Sequence, residues 1–297
     1  MVLKLLRMLM VLAASAVLDA RAGQPRTLED VLEAASAYVR QYEAELGAMI
    51  ADERYDQKMS ASRRRDTRQR LDSHFLFLRL PGTNEWLGFR DVYALNGRQV
   101  RPRDDRLAAL LIDPTADVAK RARAIVEESS KYNLGRRDHT VNVPPLVLDW
   151  ITERVRSRLA FSKLGEERIR GVQTWRIGFK EISRPTLVRT PLGDDVQSEG
   201  SYWIEPDTGR ILETELISHI DIGPRASEQA LALSAGRWGR VRTVKALVRV
   251  SYRPDSRLSV LVPVEMREKL EVLPYGTAEG TAKYTNFRRF EATARIK

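Results

Sequence analysis

From residue 158 onward, apolar and polar residues alternate one by one along this chain. Val248, Val250 and Tyr252 alternate with Arg249, Ser251 and Arg253. Met266, Leu270 and Val272 alternate with Glu265, Arg267, Lys269 and Glu271, and Leu212, Leu216 and Ile220 with Glu213, Glu215 and His219. A strand turns successive side chains to opposite faces, so each such segment has one wet face and one buried face. That is the pattern of an antiparallel sheet; a parallel sheet, covered on both sides, reads as continuous apolar runs. Segments 158–167, 171–182, 202–205, 210–222, 241–253, 261–273 and 280–291 all read as strands. In the second of them, Trp175, Ile177 and Phe179 alternate with Arg176, Gly178 and Lys180.

The first half is mixed. Thr27 with Asp30 predicts a helix start, and Val31, Ala35, Tyr38, Tyr42, Leu46 and Met49 recur at helical spacing. Residues 50–59 predict a first strand and the basic stretch 60–68 a hairpin loop. Residues 71–80 and 86–95 predict two more strands, with Leu87, Phe89, Tyr93 and Leu95 on one face. Asn96-Gly97 is a type I′ hairpin signal. Three helices are expected between 104 and 156, opening at Asp104, Asp113-Pro114 and Pro144-Pro145. In the third, Val147, Trp150, Ile151 and Val155 share a face. The expected fold is α+β and mainly β. It is one large curved antiparallel sheet of about nine to twelve strands, a half-barrel, with helices on its concave face.

The N-terminus reads as an address. Lys4 and Arg7 precede an apolar run from Met8 to Leu18, and Ala20-Arg21-Ala22 fits a cleavage site. The run is too short to span a bilayer as a helix. Residues 1–22 are expected to be a signal peptide and 23–297 a single domain, periplasmic or secreted and soluble after cleavage. An uncleaved anchor is the competing reading. The chain has 0 Cys, which excludes disulfides, Cys-ligated metals, a thiol nucleophile and lipobox acylation.

The chemical motifs that would mark an enzyme are missing: there is no G-x-S-x-G, H-E-x-x-H, G-x-x-x-x-G-K-[ST] or G-x-G-x-x-G. His74, His139 and His219 lie far apart in sequence. His219 with Asp221, beside Glu213 and Glu215, could hold a metal, but reads better as an outer sheet face balanced by neighbouring Arg and Lys. No catalytic residue, metal or cofactor is expected. Arg63, Arg64, Arg65 and Arg68 form a basic surface suited to an anionic membrane or an acidic protein. No aromatic residue is interleaved with them, which argues against single-stranded nucleic acid.

The remaining candidate is apolar. Trp175, Ile177, Phe179, Tyr202, Val248, Val250 and Met266 can line one trough, with Leu107, Leu110, Leu111, Trp150 and Ile151 on the underside of a helical lid. An ordinary filled core is the alternative reading of the same residues.

Several local sequences carry a family resemblance. They are Tyr202-Trp203-Ile204-Glu205-Pro206-Asp207-Thr208-Gly209, the hairpin Val92-Tyr93-Ala94-Leu95-Asn96-Gly97-Arg98, and Tyr284-Thr285-Asn286-Phe287. With the order of elements, they resemble the periplasmic lipoprotein-sorting carriers of Gram-negative bacteria, the LolA/LolB-like half-barrels. The resemblance implies an incomplete barrel, a helical lid and a cavity for acyl chains. It also implies relatives that sense envelope stress by regulating an anti-sigma factor. The lid-locking arginine of the carriers has no counterpart that can be placed in this sequence. Two readings follow: a non-enzymatic binder of a lipid or acylated partner, or a protein-interaction or sensing module with a filled core. A hydrolase with an unrecognised site is the third class.

Overall fold

A computed structural model describes residues 26–46, 48–61, 64–79, 86–102, 124–125, 128, 131–134, 143–189, 194–221, 243–273 and 276–289. Helix α1 (Leu28–Leu46) is followed by β1 (Ala48–Ala61), β2 (Arg64–Arg79), β3 (Trp86–Leu95) and β4 (Arg98–Gln99). A 3-10 turn at Asp149–Ile151 and a short helix α2 (Glu153–Arg156) precede the remaining strands. These are β5 (Leu159–Ile169), β6 (Val172–Glu181), β7 (Val188–Arg189), β8 (Asp195–Ile204), β9 (Ile211–Asp221), β10 (Thr243–Pro254), β11 (Leu261–Leu273) and β12 (Gly276–Arg289). All belong to one sheet of 12 strands, ordered β4-β3-β2-β1-β12-β11-β10-β9-β8-β6-β5, with β7 on β8. Every pairing is antiparallel. The mainly-β, single-sheet architecture read from the alternation is the one observed.

Helix α1 starts as its sequence predicts. The Asp30 carboxylate accepts from the Thr27 amide at 2.8 Å, and the Thr27 hydroxyl accepts from the Asp30 amide at 3.2 Å. This is a reciprocal cap, with Asp in the place of the usual Glu. Val31, Ala35, Val39, Tyr42 and Leu46 make a fully buried stripe against the concave face of the sheet. Met49, assigned to this helix by spacing, is a buried residue of β1 instead.

Three other expectations change. The basic stretch 60–68 is not a free loop, because β2 begins at Arg64. β12 pairs with β1 as far as Ala61, so the ladder outlasts the apolar pattern. Leu95 does not share a face with Leu87, Phe89 and Tyr93. A bulge at Tyr93 shifts the register, and Leu95 pairs with Leu71 on the concave side. Such a one-residue insertion flips every side chain beyond it. Finally, 144–155 is not one helix. Turns at 144–148 lead into the 3-10 turn, and extended Thr152 (ψ 154) separates that from α2. Val147, Trp150 and Ile151 still reach the core. The signal-peptide segment, the helix expected from Asp104, most of the one expected from Asp113, and His139 lie outside the described residues; of the Asp113 helix, Ala124, Ile125 and Glu128 are helical, with Ile125 buried.

The sheet turns are made by residues that tolerate positive φ. Asn96 (φ 50) and Gly97 (φ 77) form the expected hairpin. Gly209 (φ 71) closes the Glu205–Gly209 turn directly against α1. A Cβ there would lie 2.2 Å from the Ala34 carbonyl carbon. This explains why the Thr-Gly ending must be glycine at that point.

Candidate functional site

The pleat gathers the proposed trough residues on one side of the sheet. Ile177 of β6 pairs with Tyr202 of β8, Val248 of β10 with Leu216 of β9, and Val250 with Met266 of β11. The apolar lining is therefore continuous across five neighbouring strands. Ile177, Tyr202 and Met266 are 0% exposed, and Phe179, Val248 and Val250 are also buried. Trp175 is half-buried at the margin, with the Lys163 ammonium 3.4 Å from its ring centroid.

Among the described residues, what covers this lining is helix and turn, not a second sheet. Helix α1 lies over it, together with the turns from 143 to 151. Trp150 meets Phe179 edge-on at 5.7 Å, and Phe179 stacks obliquely on Tyr202 at 5.0 Å. Two phenols tie the turns down: Tyr202 donates to the Val147 carbonyl at 2.6 Å and Tyr252 to the Pro144 carbonyl at 2.7 Å. Burial holds both hydroxyls far above the ordinary tyrosine pKa, so they stay neutral donors. Gly200 makes room for this cluster, since a Cβ there would sit 2.6 Å from the Phe179 ring. Of the expected lid residues, Trp150 and Ile151 face the sheet. Leu107, Leu110 and Leu111 lie outside the described residues.

The other half of the concave face holds a buried polar cluster among Phe75, Phe77, Val92 and Tyr284, which the sequence reading missed. Arg90 of β3 makes a two-pronged bond to Glu53 of β1, at 2.5 and 2.7 Å. Ser73 also donates to Glu53, at 2.7 Å. The Arg90 guanidinium lies 4.4 Å from the Tyr55 ring centroid, and Tyr55 donates to Glu268. Burial works to lower the Arg90 pKa, but the adjacent Glu53 carboxylate overrides it, leaving the guanidinium firmly charged. Next to this group, Gln57 accepts from the Leu134 amide at 3.0 Å and donates to Asn133 at 3.2 Å, and Gln69 bonds the Tyr132 carbonyl. The segment 131–134 is thereby pinned to the sheet. The signal was parity. Glu53 falls between Ala51 and Tyr55 on the inward register, but the surrounding Asp-Glu-Arg-Tyr-Asp-Gln shows no apolar face to announce it.

The convex face carries the expected ion-pair ladder. Glu213 accepts from Arg249 at 2.7 Å and from Arg170 at 3.3 Å, while the Arg249 and Arg176 guanidiniums lie against the Trp203 ring. His219 sits 3.9 Å from Glu199. His74, read as strand-end packing, is buried on the same side between Tyr93 and Asp52. Among the described residues no group of three His, Asp or Glu is placed to hold a metal ion. A shallow groove of about 370 Å3 runs over Gly178, between Leu164, Arg176, Lys180, Glu199 and Ile217. Of the basic surface, Arg65 and Arg68 are exposed on β2, Arg64 is a β2 residue, and Arg63 lies outside the described residues.

No family model and no curated protein matches this chain. Solved structures do resemble it. One is a domain described as an outer membrane lipoprotein-sorting protein from Vibrio parahaemolyticus, 10% identical, covering 91% of this chain and 95% of its own, at TM-score 0.42. A second is a LolA superfamily protein from Nitrosomonas europaea, 10% identical, covering 90% and 95%, at TM-score 0.32. A third is a DUF1329 family protein from Desulfovibrio piger, 9% identical, covering 92% and 96%, at TM-score 0.36. The similarity noted in the sequence is thus met again, distantly, among solved structures. At these TM-scores it leaves ligand and partner to the chain's own geometry. No helix among the described residues is long and apolar enough to cross a membrane.

Proposed function

We propose that this is an exported, non-enzymatic binding protein that holds a lipid or acylated partner between the apolar concave sheet and its chain cover. The observation that carries the reading is the continuous lining from Ile177 to Met266, roofed among the described residues by helix α1 and the 143–151 turns. An acyl chain displacing that roof would gain roughly 0.8 kcal/mol per buried methylene. Opening costs about 1 kcal/mol for each of the two tyrosine hydrogen bonds and roughly 1.5–3 kcal/mol for each roof side chain, such as Val147, Leu148 and Ile151, that it uncovers. A long acyl chain is needed to offset it. Export rests on the first 22 residues.

The test is titration with a fluorescent fatty acid, together with mass spectrometry of lipid extracted from the purified protein. Val248→Thr, nearly isosteric, and Val250→Asp should weaken binding in that order. Arg267→Asp, on the exposed face one residue from Met266, should leave it unchanged. Each variant is first shown to melt cooperatively. Near-complete burial of the lining favours a second reading, a filled-core module for protein interaction or envelope sensing. A wild type that neither carries nor binds lipid would establish that reading instead.

A further inference from the structure

We propose that the outer margin of β2, residues 64–70, docks the protein onto an anionic bilayer. This is independent of what the concave face binds. β2 pairs with β3 only from Leu71 onward, where Leu71 meets Leu95, so among the described residues 64–70 is an open sheet margin beyond β3. Among the described residues its last residue alone is capped there, by mutual bonds between Arg70 and Asn96 at 2.8 Å. The margin contains Arg64, Arg65, Arg68 and Arg70, with Lys58 paired opposite Arg68 on β1.

Two acidic residues answer part of this charge. Asp66 bonds Lys58 at 3.2 Å and Asp56 bonds Arg70 at 2.9 Å. Hydrogen bonds from Lys58 and Ser60 hold the Asp66 carboxyl below its usual range, so it stays charged, and Arg68 adds to that field. Arg65 has no ion pair among the described residues. It sits in a bulge where β2 carries one residue more than β1, opposite Ser60. Bulges re-aim side chains at sheet margins. Counting the five cations against the two carboxylates leaves the margin clearly positive.

The chemistry favours a membrane over a protein. Stable protein interfaces are centred on desolvated anchors, most often Trp, Tyr or an Arg packed within an apolar core. The exposed large hydrophobics among the described residues are Val100, Leu164 and Ile182, none on this margin. Peripheral attachment to anionic lipid needs no such anchor, because a row of cations gains roughly fivefold in partitioning per residue at low salt.

The experiment is co-sedimentation of the full chain with vesicles of 3:1 phosphatidylcholine and phosphatidylglycerol, against phosphatidylcholine alone, at low and at physiological salt. Arg65→Gln with Arg68→Gln is compared with Arg184→Gln with Arg257→Gln, an exposed pair elsewhere that removes the same net charge. All share the same N-terminal segment, so its contribution cancels. The first pair should lower partitioning at least tenfold, with a weaker salt dependence, and the control pair less than twofold. Equal loss in both pairs would overturn the proposal, as would a wild type indifferent to phosphatidylglycerol. Capture on immobilised polyglutamate without vesicle binding would assign the margin to an acidic protein. Self-association of the first pair with vesicle binding intact would make these arginines guards against strand pairing.

Discussion

Replacing Glu53 by Gln should be among the most damaging single changes in this chain, out of proportion to its size. Glu53 and Arg90 are both buried, and their side chains are 0% and 8% exposed. The substitution keeps an acceptor for Ser73 but leaves the guanidinium buried without its carboxylate. Breaking a buried pair in this way costs about 3–5 kcal/mol. For a chain of this size each kcal/mol lowers the melting temperature by about 2–4 °C, so the fall should be roughly 6–20 °C. Replacing both members, Glu53→Leu with Arg90→Met, removes the stranded charge together with its partner. What is then lost is chiefly the packing of the cation on the Tyr55 and Phe75 rings, 4.4 and 5.6 Å away. That contact is worth about 1–2 kcal/mol. The double variant should therefore be more stable than Glu53→Gln alone. Urea unfolding followed by tryptophan fluorescence measures all three. A loss below about 1 kcal/mol for Glu53→Gln, or a double variant as unstable as the single, would refute the assignment of a strongly coupled buried pair.

Other outcomes follow from the same structure. Gly209→Ala combines positive φ with a Cβ 2.2 Å from the α1 backbone, and should cost at least about 3 kcal/mol in a thermal melt. Tyr202→Phe strands the Val147 carbonyl and should cost about 1–2 kcal/mol, with Trp150 emission shifting as its roof loosens. Burial raises the Glu181 carboxyl above its ordinary 4.5, and one of its oxygens has no hydrogen-bond partner among the described residues. The folded state therefore holds this proton more tightly than the unfolded one. Stability from Glu181 is present below pH 4.5 and lost as pH rises through the raised value. Glu181→Gln should accordingly gain stability over wild type at pH 7 and none at pH 3.5, as paired melts would record.

How much was legible depended on whether a face was dry. In β6, β10 and β11 one face is wet and the other sealed, so the alternation could be read directly, and Ile177, Val250 and Met266 fell on the same side. Where charge occupies the inward register, as at Glu53 and Arg90, the pattern goes flat and the polar cluster on the concave face could not be seen. Bulges were equally silent: nothing around Tyr93 announces the extra residue that moves Leu95 across the sheet. The basic stretch after Ser60 read as a loop because polar residues on an open margin look the same as polar residues in a turn. Only the long partner strand β12 decides between them.

The adjacency of β1 and β12 has a consequence for how the molecule is built. Asp52 and Asn286, 234 residues apart, hydrogen-bond across the middle of the sheet. The first four strands and the last eight can each pair locally as they emerge. The central ladder, from Met49 with Arg289 to Ala61 with Gly276, must wait for the final segment of the chain. Such distant pairings are slow to form. Until it closes, two half-sheets each present a raw inner edge, one of them β1, so the interval between synthesis and closure is when the chain is most open to mispairing. A holding factor acting on the newborn chain would have its greatest effect in that interval, and none once the two halves are joined.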